Sequence, residues 1–334
     1  MKNNYEFTRK TAEERKKEID ELAKKIDDGV KQYLNSDKYK ELLNNISNFH
    51  NYSFNNCVLI SMQKPEATRV ASYSVWDAKF HRNVEAGEKG IKVLCPVDRK
   101  VEVQQDKRDP ITNEPILDSN GNRVQENVTK NFKTFKVGYV FDVSQTKQDP
   151  NKSVVEIEMA KELKGDVQGY DDLVTAIKNI SKSDIEFAQI TGGAKGYFAP
   201  LENEIKVKEG MDQAQTFKTL VHETVHSRLH NLESDLHNEQ QNIKEIQAES
   251  CAYIVCNHFG VDTSDYSFPY VSSWASMKVE DVKDNMELIK KTSDSLINSI
   301  EGELKSMKMS MGEKIENEII RKNDEHIRRV RSGL

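Results

Sequence analysis

The segment TLVHETVHSRLH, residues 219–230, constrains this chain more than any other. It sets His222, Glu223 and His226 in the order H-E-x-x-H. On a helix, residues i and i+4 share a face, so both imidazoles can address one metal ion. The segment must therefore be helical, and Leu220, Val221 and Val225 give it an apolar side to pack. A second element must supply a further ligand, so an all-β arrangement around it is excluded. Glu223 follows the first imidazole and can reach a water on the metal. Zinc lowers the pKa of such water to about 7, where a carboxylate can take its proton.

The third ligand is not on the same helix. A histidine six residues after His226 would complete the metzincin pattern, but position 232 is Leu. His230 continues the i, i+4 series and lies one turn too far to close a tetrahedron. The next candidates are Glu245 and Glu249, one turn apart in EIQAESCAYIVC. The pair resembles that of thermolysin-like zinc peptidases, where an acidic residue four positions after the ligand Glu hydrogen-bonds a ligand His. That resemblance implies Glu245 as ligand and Glu249 as the partner that fixes an imidazole; the reverse assignment also satisfies the spacing. Two imidazoles and one carboxylate suit a single Zn2+. His230, His237 and His258 read as solvated or locally satisfied, and Cys251 and Cys256 as core.

Composition narrows the class. The net charge of −6 means that any nucleic-acid contact must use a local patch. Four cysteines with no C-x-x-C pair exclude a disulfide scaffold and a cysteine-only zinc site. No run approaches the ~18 apolar residues of a membrane span. The start, MKNNYEFTRK, has no apolar stretch of the signal-peptide kind. The expectation is a soluble cytoplasmic protein with no membrane partner.

Periodicity predicts an α+β chain of two domains and a helical tail. Residues 9 to about 48 read as charged amphipathic helix opened by a Thr11–Glu14 capping box, with breaks at Gly29 and Asn35-Ser36. IKVLCPV and FKTFKVGYVFDVSQT read as paired strands, with the polar 98–132 stretch between them as a long hairpin or mobile insertion. The expected divisions are a first domain over 1–146, a linker over 147–170, a second domain over 171–278 and a charged helical tail over 279–334. In the second domain, DDLVTAIKNI reads as helix, IEFAQI as strand and GYFAP–EIKV as a hairpin, followed by two helices.

The first domain carries no catalytic constellation. Its rings and cations interleave: Trp76 lies among Lys79, Arg82, Lys89 and Lys92, a mix that suits single-stranded nucleic acid because bases stack and phosphates pair. Most such rings are core, and Glu66, Asp77, Glu85 and Glu88 offset the charge.

Several pieces occur in one order: Tyr52-Ser53 with Asn55-Asn56, Gln63 with Pro65, Trp76, Gly87-Glu88-Lys89-Gly90-Ile91, and Val140 to Thr146 as VFDVSQT. Together they resemble the N-terminal domain of ArdC-type antirestriction proteins and the related LtrC-like proteins of conjugative elements. GYF, HETVH, EIQAE and YVSSW resemble that family's zincin-like metallopeptidase domain, itself similar to the ImmA/IrrE group. The resemblance covers roughly residues 45–275. It implies a domain that binds single-stranded DNA, joined to a metallopeptidase-fold domain that acts on a protein substrate the sequence does not name. It also implies a setting of mobile-element transfer, with protection of incoming DNA from restriction. Tyr270 in YVSSW and His258 are candidate oxyanion donors. Two other functions fit the residues: a non-proteolytic DNA-binding protective protein with a structural zinc site, and an ImmA-like regulator that cuts a repressor.

Overall fold

The computed structural model describes residues 11–34, 36–49, 51–155, 169–261, 268, 274 and 277–331, with residues 36–37 and 311–331 as backbone alone. Helix α1 spans Ala12–Gln32, and its N-cap Thr11 and Glu14 form the expected capping box. Gly29 does not break it. A Cβ there would lie 2.7 Å from Val58 Cγ1 and closer still to Met62, so the glycine lets α1 lie against α3, Phe54–Gln63. Helix α2, Ser36–Asn48, follows.

The apolar NCVLISM segment is inside α3, whose N-cap is Ser53 and whose C-cap is Lys64. Short strand β1, Val70–Ala71, precedes α4, Tyr73–Phe80, and β2, Arg82–Val84. Strands β3, Ile91–Asp106, and β4, Gln125–Asp142, pair antiparallel from Ile91 opposite Val140 to Asp106 opposite Gln125. The polar 98–132 stretch is therefore a continuous two-stranded ribbon, not a mobile loop. Its tip is tied by bridges between Arg108 and Pro115 and between Leu117 and Arg123.

Two amides of α3 close the outer edge of β3. Asn56 Nδ2 donates to the Leu94 carbonyl at 3.0 Å while its Oδ1 accepts from the Leu94 N–H at 2.8 Å. Gln63 repeats the exchange with Lys92 at 2.9 and 3.0 Å. The VFDVSQT piece is a lock of the same kind. Asp142 accepts from the N–H groups of Thr68, Arg69 and Ser144, and Gln145 donates to Glu88 and to the Lys89 carbonyl. These bonds outweigh the effect of burial and hold the Asp142 carboxyl below its ordinary range. Strand β5, Thr146–Gln148, pairs with β2.

The second half begins with α5, Tyr170–Ile180; the linker expected over 147–170 lies mostly outside the described residues. Strands β6, Asp184–Ala188, β7, Gly196–Ala199, and β8, Glu204–Lys208, form a sheet in the order β6-β8-β7. The expected hairpin is β7–β8, and β6 runs parallel to β8. Helices α6, Gln213–Leu229, and α7, Gln241–His258, then pack on each other.

Helix α8, Val279–Arg331, corrects the expectation of a tail. Val282, Met286, Ile289, Leu296, Ile297 and Ile300 are buried, and α8 packs on α7, α5 and α1. High charge hid an apolar stripe at helical spacing. The buried residues form one continuous core from Leu22 to Ile300. Helix α2 joins the halves: Tyr39 Oη pairs with Ser250 Oγ at 2.8 Å, and Ser47 Oγ donates to the Ile254 carbonyl at 3.2 Å. Among the described residues, no helix is long and apolar enough to cross a membrane.

Candidate metal centre

Helix α6 is capped by Asp212, whose carboxylate accepts from the Gln215 N–H. Its apolar side, Phe217, Leu220, Val221 and Val225, is buried. The opposite side turns His222 and His226 toward α7. Their Nε2 atoms are 3.1 Å apart. Glu245 faces them from α7, with one carboxylate oxygen 3.5 Å from His222 Nε2 and the other 3.7 Å from His226 Nε2. Donor atoms of these three residues all lie within 4.8 Å of one another. Ligands about 2.0–2.1 Å from a tetrahedral ion are separated by about 3.3–3.4 Å, so the three residues fit one such ion.

Each imidazole also has a partner on its other nitrogen. His222 Nδ1 is 3.0 Å from Glu249 Oε2, and Glu249 is in turn paired with Lys218 at 2.7 Å. The sequence assigns Glu245 as ligand and leaves the reverse assignment open on spacing. In the structure, Glu245 is on the Nε2 side with both histidines, and Glu249 is on the Nδ1 side of one. His226 Nδ1 is 2.9 Å from His230 Nδ1, and His230 Nε2 is 2.8 Å from Gln247 Oε1. His230 is locally satisfied, as read from the sequence, but its role as the partner of His226 was not legible. The i, i+4 spacing brings the two rings together, and the crossing of α6 and α7 places Gln247 beside His230 and so completes its hydrogen bonding.

The charges follow from these contacts. Burial lowers the His222 pKa, but Glu245 and Glu249 outweigh it and carry it up to about 9 in the metal-free protein. Hydrogen bonds from both histidines hold Glu245 well below the usual carboxylate range. Burial pushes His230 down to about 4 and raises Glu223. Glu223 is 8% exposed, and the backbone of Phe198 on β7 lies close enough to counter part of that rise. Gly196 makes that approach close: a Cβ would sit 2.6 Å from Thr219 Cγ2 and 3.3 Å from Glu223 Cγ.

Other candidate residues fall elsewhere. His258 ends α7 and pairs with Glu301 at 2.8 Å. Nine residues along a helix put it about 13 Å beyond Glu249, so it is not an oxyanion donor. Tyr270 lies outside the described residues. Trp76 has no exposure and donates from Nε1 to the Phe141 carbonyl at 2.8 Å, so it is a core residue and presents no stacking face. Arg82 is engaged by Thr146 Oγ1 and its carbonyl, and Lys92 by Glu18 at 2.6 Å. Lys79 and Lys89 are exposed. The proposed basic–aromatic patch therefore lacks its ring and two of its cations. A different mixture is exposed on the ribbon: Phe132, Phe135 and Tyr139 are 45%, 50% and 47% exposed. Lys130, Lys133 and Lys136 alternate with them, and no carboxylate occurs between 130 and 139.

The model of the N-terminal domain of anti-restriction factor ArdC matches residues 11–141. An uncharacterized protein of Bacillus anthracis is 29% identical over 332 residues, covering 90% of this chain and 54% of its own length. The chain thus spans about half the length of that relative. Among solved structures, the metal-free antirestriction ArdC protein from plasmid R388 has a TM-score of 0.44 at 18% identity, covering 75% of this chain and 85% of that one. The Mn(II)-bound structure of the same protein has a TM-score of 0.39 at 17% identity, covering 76% and 84%. Over residues 11–141, then, this chain is similar to the N-terminal domain of anti-restriction factor ArdC.

Proposed function

We propose that this protein is a metal-dependent peptide hydrolase with a zincin-like second half, joined to a first half that binds single-stranded DNA, and that it protects incoming mobile-element DNA. The observation that carries the hydrolytic reading is the position of Glu223. It lies outside the three-residue donor set, adjacent to His222, buried and raised in pKa. A closed structural site has no use for such a base.

His222, His226 and Glu245 would hold the ion, with zinc best suited to this donor set. When bound, a divalent cation supplies Lewis acidity, making water acidic near neutral pH and polarising an acyl oxygen. Glu223 takes a proton from the attacking water and returns it to the leaving amine; its raised pKa brings it nearer the operating pH for both transfers. Strand β7 is at the edge of its sheet beside α6, where its backbone can align an extended peptide next to Glu223.

The DNA reading is supported by the ribbon. Phe135, Tyr139 and Lys133 share one face and Phe132, Lys130 and Lys136 the other, because side chains alternate along a strand. Rings of this kind stack bases, and lysines between them neutralise phosphates.

Glu223→Gln tests the hydrolytic reading. The variant is expected to keep its metal, fold and single-stranded DNA affinity while losing proteolysis and protection. If it protects incoming DNA as well as the wild type, catalysis is not the mechanism, and the non-proteolytic DNA-binding reading replaces it.

A further inference from the structure

Helix α8 reaches the metal centre through side chains that no metal would touch. Resting on the assignment of His226 as a ligand, we propose that Asn285 and Gln247 are positioning residues that fix the proton on His226 Nδ1, and so present its Nε2 lone pair to the metal.

The chain of hydrogen bonds has a determined direction. Asn285 Nδ2 donates to the Asp281 carbonyl on α8 at 2.9 Å. That leaves Asn285 Oδ1 to accept from Gln247 Nε2 at 2.7 Å. Gln247 Oε1 therefore faces His230 Nε2, 2.8 Å away. An amide oxygen only accepts, so His230 carries its hydrogen on Nε2. His230 is 4% exposed, and its two ring nitrogens meet only the Gln247 oxygen and the His226 ring, a pair of partners that one N–H on Nε2 and one lone pair on Nδ1 satisfy. A neutral imidazole has a single N–H, so His230 Nδ1 is a lone pair. His226 Nδ1, 2.9 Å from it, must supply the hydrogen. The free lone pair of His226 is then on Nε2, the atom beside His222 Nε2 and Glu245.

Each link is needed for the next. Gln247 is 1% exposed, so no solvent replaces its acceptor. Without that acceptor, His230 can hold its hydrogen on Nδ1 instead, and His226 then turns its lone pair away from the metal. The α8 end of the chain lies well outside residues 11–141, so the device belongs to the second half of the molecule.

The test compares Gln247→Met with Gln247→Glu in the full chain. Zn2+ affinity is measured by competition with a chromophoric chelator, the Co2+ form by its visible spectrum, and the fold by melting of the metal-free variants. One glutamate oxygen accepts from His230 Nε2 in the same sense, and the other, protonated, donates to Asn285 Oδ1 as the Gln247 amide does. Gln247→Glu should therefore bind Zn2+ within a few-fold of wild type, with an unchanged Co2+ spectrum. Gln247→Met keeps the volume but loses the acceptor, and should bind about 10–100-fold more weakly. A purely structural role predicts the opposite order, because Met is a neutral apolar replacement and Glu puts an ionisable group in a buried site. Should Gln247→Met not fold, Asn285→Ala, at the half-exposed end of the chain, is expected to weaken binding in the same direction. Tight binding by Gln247→Met, or weaker binding by Gln247→Glu than by Gln247→Met, overturns the proposal. A wild type that takes up no Zn2+ overturns the metal centre and the relay with it.

Discussion

Three glutamates surround the two imidazoles, and their neighbours separate them. Glu245 is held ionised by both histidines, Glu249 by His222 and Lys218, and Glu223 is driven toward neutrality by burial. Glu245→Ala should therefore remove a ligand and abolish tight Zn2+ binding, whereas Glu249→Ala should weaken it by about 10–100-fold. Equal affinities in a chelator titration would refute the assignment. His222 sets the pH dependence. Its pKa in the metal-free fold is raised from 6.5 to about 9. Its protonation thus stabilises the metal-free protein fully below pH 6.5, and that contribution disappears as pH rises through about 9. Metal uptake must expel this proton, so apparent affinity should rise about tenfold per pH unit across the same window and then level off. These residues were legible because H-E-x-x-H and a Glu pair at i, i+4 are local patterns. His230 and Gln247 were not, because their partnership depends on how α6, α7 and α8 cross. Trp76 misled because composition does not say which side of a ring faces solvent.

At the level of elements, the ribbon and strand β7 each carry an expectation. Phe132, Phe135 and Tyr139 project from a stretch of β4 that is largely exposed, so replacing them with Ala should change stability by no more than about 0.5 kcal/mol. The same changes should cost about 1–3 kcal/mol of single-stranded DNA binding for each base that loses its ring. Lys133→Glu should also flatten the salt dependence; unchanged affinity and slope in both sets would remove the ribbon from the interface. Gly196→Ala brings a methyl against Thr219 and the Lys206 carbonyl. It should destabilise the fold by about 1–3 kcal/mol and slow any hydrolysis, because β7 must retreat from Glu223. The strand pairing of IKVLCPV with FKVGYVF was readable from alternation. The ribbon's continuity through polar residues was left open between a long hairpin and a mobile insertion, since exposed strands lack the alternation that reveals half-buried ones.

On the scale of the molecule, the sequence divides more readily than the core does. Loops and charge suggested two domains and a tail, yet α2 packs on α7 and α8 packs on α1, α5 and α7. Ile289→Ala, in a fully buried site on α8, should cost about 2–5 kcal/mol. If the core is one cooperative unit, calorimetry should show a single transition that moves as a whole; a shift confined to one of two transitions would contradict that. The base of the ribbon has a further consequence for how the protein behaves in a crowded cell. An open strand edge is a template on which another chain can crystallise its own backbone, the first step of aggregation. Here Asn56 and Gln63 occupy the β3 edge at Leu94 and Lys92, and β1 occupies the β4 edge at Asp142 and Phe141. Two side-chain amides thus act as a counterfeit strand, and the sheet is sealed against its own copies where it joins the body of the molecule.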